Sequence, residues 1–153
     1  MIDLIKGDCL EVMDNLIEQG VQVDAIITDP PYGTTACKWD TVIPFDEMWE
    51  RLNKLIKPNG AIVLFGSEPF SSALRMSNIK NYKYDWIWDK DKSTNFMQLK
   101  RQPARVFENI IVFNTTKYNP QMLSAELKNK RPRKGKQEEN YISESETYGE
   151  IKR

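Results

Sequence analysis

The chain has 153 residues, room for one domain with its own core at about 100–200 residues per domain. Lysine plus arginine number 22 and aspartate plus glutamate 22, giving a net charge of 0, while 40% of residues are apolar and 10% aromatic; that composition excludes a disordered polyelectrolyte. There is no histidine, which excludes Ser-His-Asp and Cys-His nucleophile systems and histidine metal sites, and leaves chemistry to carboxylates, amides, hydroxyls, aromatics or lysine.

Ile2 to Ile5 is a short apolar run ahead of Gly7-Asp8 and reads as a strand. Leu10, Met13, Leu16 and Ile17 then recur at helical spacing behind Asp8 as a cap, and Gly20 closes the segment, so a helix is predicted over 9–19. Val23 to Thr28 is nearly continuous apolar, β-branched sequence. It has the character of a strand buried on both faces of a parallel sheet, and Asp29-Pro30-Pro31 stops it. Phe45, Met48, Trp49, Leu52, Leu55 and Ile56 form one helical stripe that ends at Pro58-Asn59-Gly60. Ala61 to Phe65 is a second buried strand, followed by a helix from Pro69 or Phe70 to Met76. Asp85 to Trp88 and Asn109 to Phe113 read as two strands joined by a polar, basic connection, 89–108. The alternation implies an α/β fold: a mainly parallel sheet covered by helices, with an antiparallel pair at one edge.

Past Tyr118-Asn119-Pro120 large apolar side chains become scarce, and residues 128–136 carry six positive charges in nine positions. A folded part over 1–120 and a basic arm over 121–153 are expected. Charge is graded along the chain, with 2 basic and 11 acidic residues in 1–50, 9 and 4 in 51–100, and 11 and 7 in 101–153. The first third is therefore unsuited to face a polyanion, and the remainder is suited to it. The two cysteines, Cys9 and Cys37, lack disulfide or metal-site spacing. Acid at Asp3 and the lack of an apolar run near the ~20 residues of a membrane span suggest a soluble, cytoplasmic protein.

In an open parallel sheet, ligands bind beyond the carboxyl ends of the strands. Asp29-Pro30-Pro31-Tyr32 is placed at that edge, where it reads either as a stiff exit from the strand or as an acidic group delivered into the ligand crevice. The run Ala25-Ile26-Ile27-Thr28-Asp29-Pro30-Pro31-Tyr32-Gly33 resembles the catalytic motif of amino-group (adenine-N6 or cytosine-N4) DNA methyltransferases. Further segments match in the order of that family's permuted beta group: Gly7-Asp8-Cys9-Leu10-Glu11, Leu55 to Phe65, Trp86-Ile87-Trp88-Asp89-Lys90, Phe107 to Phe113 and Tyr118-Asn119-Pro120-Gln121-Met122.

The resemblance implies a Rossmann-like methyltransferase sheet, S-adenosylmethionine as methyl donor, and double-stranded DNA as substrate. It implies Asp29, Pro30, Pro31 and Tyr32 as the catalytic group, and Asp8, Cys9 and Asp29 beside the cofactor, with Asp8 equally readable as a helix cap. Asp rather than Ser at the head of the motif leans towards adenine N6. The chemistry suits these residue types. An exocyclic amine has its lone pair delocalised into the ring, and two acceptors, a carboxylate at Asp29 and the Pro30 carbonyl, can draw its N–H groups so that the lone pair points at a methyl group. Tyr32 offers a face for the flipped base. Lys90, Lys92, Lys100, Arg101 and Arg105 in the 89–108 connection, and Lys130, Arg131, Arg133 and Lys134 in the arm, are candidate phosphate contacts; a solvated loop and a disordered tail are the alternatives. Trp39, Trp86 and Trp88 offer faces on which bases could stack, but packing in the core or in a hairpin is the expectation for each.

The seven glycines, at 7, 20, 33, 60, 66, 135 and 149, are all isolated, so the family's glycine-rich cofactor loop is not matched. The expectation is an incomplete catalytic domain, weak or inactive alone. It would be completed by a C-terminal portion, a second chain or a homodimer, or would be a DNA-binding remnant without transfer.

Overall fold

The computed structural model describes residues 2–93, 95 and 99–120. A compact unit runs to Tyr118. Its elements are α1 (Cys9–Glu18), β1 (Val23–Thr28), α2 (Phe45–Leu55), β2 (Ile56–Gly66), α3 (Phe70–Ser77), β3 (Tyr82–Asp89) and β4 (Phe107–Phe113). The strands form one sheet in the order β1-β2-β4-β3. β1 pairs with β2 in parallel, while β4 is antiparallel to both β2 and β3. Three strands thus share one direction, and the antiparallel pair lies at the β3 edge as the sequence implies.

The apolar stripe of α2 makes the core. Met48, Trp49 and Leu52 are buried with Ile62 and Leu64 of β2, Ile111 and Phe113 of β4, and Phe70 and Leu74 of α3, and Leu55 is buried as well. Trp49 packs edge-on against Phe113 at 4.8 Å and donates its indole N–H to Ser77 Oγ at 2.8 Å, so the one polar atom of that ring is satisfied. Within β2, between its pairings at Ile56 and Ala61, the register against β1 shifts and Asn59 takes φ 65°. A Cβ on Gly60 would lie 2.8 Å from the Asp24 carbonyl, so only glycine lets the backbone pass this close to β1. Arg75 of α3 joins Asp85 of β3 at 2.6 Å and Glu68 at 3.2 Å, fixing the helix to the far edge of the sheet.

Helices cover one face of the sheet. On the other face the register places Ile27 beside Val63, and Phe65 beside Ile110 and Trp86. No helix among the described residues covers them, and Ile27, Trp86 and Trp88 are 69%, 49% and 47% exposed. Two sequence expectations fail here. β1 is an edge strand with Ala25, Ile27 and Thr28 open to solvent, because only one of its edges and one of its faces have neighbours. Ile2 to Ile5 is not a strand: with no ladder partner among the described residues its backbone is irregular, and Ile2 and Leu4 are 88% and 93% exposed. Trp86 and Trp88 lie in the antiparallel β3–β4 pair, the hairpin placement of the two expected, on the uncovered face.

Truncating the covered face and the open face should have opposite consequences. Phe113→Ala is expected to cost about 3–5 kcal/mol in urea unfolding, whereas Ile27→Ser should change stability by no more than about 0.5 kcal/mol. A large loss for Ile27→Ser would show that its face is covered.

Candidate active site

β1 ends at Thr28 and hands Asp29 and Pro30 to the carboxyl edge of the sheet, the crevice side of a parallel arrangement. Pro30 is buried and Asp29 is exposed. The two consecutive prolines lack N–H donors and restrict φ, so the chain cannot extend the strand and the Pro30 carbonyl has a fixed direction. Tyr32 folds back and donates its hydroxyl to Asp29 Oδ1, while its ring stacks on Phe70 with centroids 4.9 Å apart and planes at 28°. Burial, and next the hydrogen bond to Asp29, push the Tyr32 hydroxyl well above the ordinary phenol range. It is therefore a permanent donor at any physiological pH. Asp29 Oδ2 and the Pro30 carbonyl oxygen accept no hydrogen bond among the described residues.

The loop beyond Tyr32 is organised by a residue that the sequence reading did not single out. Asp40 is buried, and its carboxylate accepts the backbone N–H groups of Gly33 at 2.8 Å, Thr34 at 2.9 Å and Thr35 at 2.7 Å. The Thr35 side chain and these amides hold its carboxyl down at about 2. Gly33, at φ 69°, supplies the left-handed turn that begins the loop. Aspartate side chains commonly bond backbone N–H groups two residues away, but the spacing of five to seven residues here has no such local signal in the sequence. Asp29, Pro30, Pro31, Tyr32, Thr34, Thr35, Trp39 and Asp40 line a cavity of about 290 Å³, at the small end of ligand sites, which run from about 300 to 1,000 Å³. Trp39, expected in the core or in a hairpin, is instead 73% exposed at this cavity.

The other candidate residues are placed as follows. Asp8 Oδ1 caps α1 by accepting Leu10 N–H at 2.9 Å and Glu11 N–H at 3.4 Å, and Cys9 opens the helix with an exposed thiol. Lys90 is paired with Glu108 and lies 5.0 Å from the centre of the Trp88 ring. Arg105 donates to Ser67 Oγ at 3.1 Å and to the Glu68 carbonyl at 3.2 Å, tying the connection to the start of α3. Asn95 fastens the same connection by accepting Arg105 N–H at 2.7 Å and donating to the Pro103 carbonyl at 2.9 Å. Lys92, Lys100 and Arg101 are exposed. The arm residues Lys130, Arg131, Arg133 and Lys134, together with Phe96, Gln121 and Met122, lie outside the described residues.

A family model described as DNA methylase, of the N6/N4 type, matches residues 23–152. The chain belongs to the N6/N4 DNA methylase family. Two solved structures of one protein, M1.HpyAVI, are similar to this methylase: its complex with SAM at 26% identity and TM-score 0.58, and M1.HpyAVI itself at 25% and 0.57. The alignments cover 76% and 75% of this chain but only 55% and 56% of the M1.HpyAVI chain, so the methylase described here spans little more than half the length of those relatives. Among curated proteins, none matches the sequence.

If Asp40 holds the loop, the amides of Gly33, Thr34 and Thr35 are protected from hydrogen exchange, and Asp40→Ala releases all three together. A carboxyl held at about 2, against about 3.9 when unfolded, contributes stability that is complete above the unfolded value and is lost as pH falls through the folded one. Protection should therefore persist from neutrality down to about pH 4 and disappear towards pH 2; loss near pH 6 would contradict the assignment.

Proposed function

We propose that this methylase transfers a methyl group from S-adenosylmethionine to N6 of an adenine swung out of double-stranded DNA. One observation carries the reading: Asp29 stands exposed at the carboxyl end of a parallel strand with one oxygen held by Tyr32, while its other oxygen and the carbonyl of Pro30, which lines the same cavity, accept no hydrogen bond among the described residues. An exocyclic amine with two N–H groups matches two acceptors, which pull the nitrogen towards tetrahedral geometry and free its lone pair. S-adenosylmethionine, when bound, supplies an electrophilic sulfonium methyl group. The acidic donors fit such a ligand: Asp8 and Asp29 suit its amines and positive charge, and in Asp8 only Oδ1 is used in capping α1. Cys9, next to Asp8, belongs to the same proposed contact. After transfer, Asp29 Oδ2 is placed to take the amine proton, so no histidine is needed. Aspartate at the head of the motif favours adenine over cytosine.

The Tyr32 ring, already backed by Phe70, provides the platform for the extruded base, and Pro31 keeps Tyr32 and Pro30 in fixed relation. Lys92, Lys100 and Arg101 supply exposed charge for DNA phosphates, and Lys130, Arg131, Arg133 and Lys134, which lie outside the described residues, belong to the same proposed contact by their charge. Lys90 and Arg105 act one step back, Lys90 against Glu108 and Arg105 against the Ser67–Glu68 turn.

A second reading has its own observation. Among the described residues the sheet is covered on one face only, and β1 has an unpaired edge. By this reading the 153 residues alone bind DNA without transferring a methyl group, and transfer needs polypeptide that pairs with β1 and covers the Ile27–Phe65–Trp86 face.

Incubation with methyl-labelled cofactor and unmethylated DNA, followed by digestion to nucleosides, tests both. N6-methyladenine that disappears in Asp29→Ala is expected, and N4-methylcytosine would overturn the choice of base. Salt-sensitive DNA binding with no transfer supports the second reading. Base stacking is worth roughly 1–3 kcal/mol, so Tyr32→Ala should lower base binding about 5- to 150-fold, and Tyr32→Phe, which keeps the ring and frees Asp29 Oδ1, should preserve binding and slow transfer.

A further inference from the structure

Phe70 occupies one face of the Tyr32 ring. A base entering the cavity can therefore stack only on the other face, and the base's own outer face is left to water unless a second ring covers it. Trp39 is the one other aromatic side chain lining that cavity. It is 73% exposed, against 6% for Trp49 in the core, a large apolar surface kept in solvent beside a carboxylate that the reading above assigns to chemistry. The backbone that carries it is not slack. The next residue, Asp40, grips the amides of residues 33–35 through its side chain and donates its own N–H to the Cys37 carbonyl at 3.0 Å. These bonds fix the backbone next to Trp39, and the residue lines the cavity.

We propose that Trp39 is a second base-contacting residue, which covers the face of the extruded base opposite Tyr32 and turns the site into a two-sided aromatic clamp. This rests on the base-flipping reading of the same cavity. The clamp does two things: an indole adds stacking area that any base can use, and its closure excludes water around the amine, where hydrogen bonds to Asp29 and Pro30 then act in a less polar medium. The rim residues Thr34 and Thr35 leave the base edge in contact with hydroxyls and backbone.

The test uses a DNA duplex in which one 2-aminopurine faces an abasic site, so that extrusion costs little and no target sequence is needed. The full chain is titrated with this duplex, and both affinity and 2-aminopurine emission are read. Wild type should bind and hold the analogue in a quenched, stacked state. Trp39→Ala should bind about tenfold more weakly and leave the bound analogue brighter, with an unchanged salt dependence because no phosphate contact is lost. Trp39→Phe should restore most of the quenching. If Trp39→Ala matches wild type in affinity and emission while Tyr32→Ala changes both, the clamp is overturned and the base site stands. If neither variant differs from wild type, or wild type does not bind the duplex, the base site and the clamp both fall.

Discussion

Tyr32 joins the site to the core. Its ring lies on Phe70, which is itself buried against α2 and the sheet, and its hydroxyl holds one oxygen of Asp29. The carboxylate is otherwise exposed and would rotate freely about its side-chain bonds. With Oδ1 held by a donor that does not ionise at physiological pH, Oδ2 has a defined direction beside a carbonyl fixed by two prolines. Everything proposed about the chemistry depends on that pairing of two acceptors at a set angle, which costs no reorganisation when the amine arrives.

The loop that follows is rigid for a different reason. Asp40 replaces the hydrogen bonds that residues 33–35 would make in regular structure, and its negative charge is stabilised by the same amides that it organises. A buried carboxylate in this role lets a short, polar, glycine-initiated segment stand at the mouth of a cavity without a helix or strand to support it. The site is therefore anchored twice, through Phe70 to the core and through Asp40 to its own backbone.

Much of this was legible in the sequence because it rests on short-range rules. The stripe from Phe45 to Leu55, the Asp8 cap, the run Val23–Thr28 and its termination by prolines each follow from periodicity or backbone chemistry within a few residues, and β1 and α1 match their expected spans closely. What was misread depended on neighbours distant in sequence. Ile2 to Ile5 has strand composition, yet it gains nothing from extending where no strand among the described residues accepts its hydrogen bonds. Val23–Thr28 reads as doubly buried and lies at an edge. Trp39 reads as a core or hairpin residue because indoles usually pack there, and it lies exposed at the cavity beside the Asp40 turn. In each case the sequence describes more burial than the described residues provide, which matches a chain that covers little more than half of its structural relatives.

The most direct test of the central claim is a crystal structure of the protein bound to a duplex containing an extrahelical adenine. The account predicts the adenine N6 within about 2.7–3.2 Å of both Asp29 Oδ2 and the Pro30 carbonyl oxygen, with the base stacked on the open face of Tyr32. An adenine bound with N6 turned away from Asp29, or seated elsewhere on the protein, would contradict it.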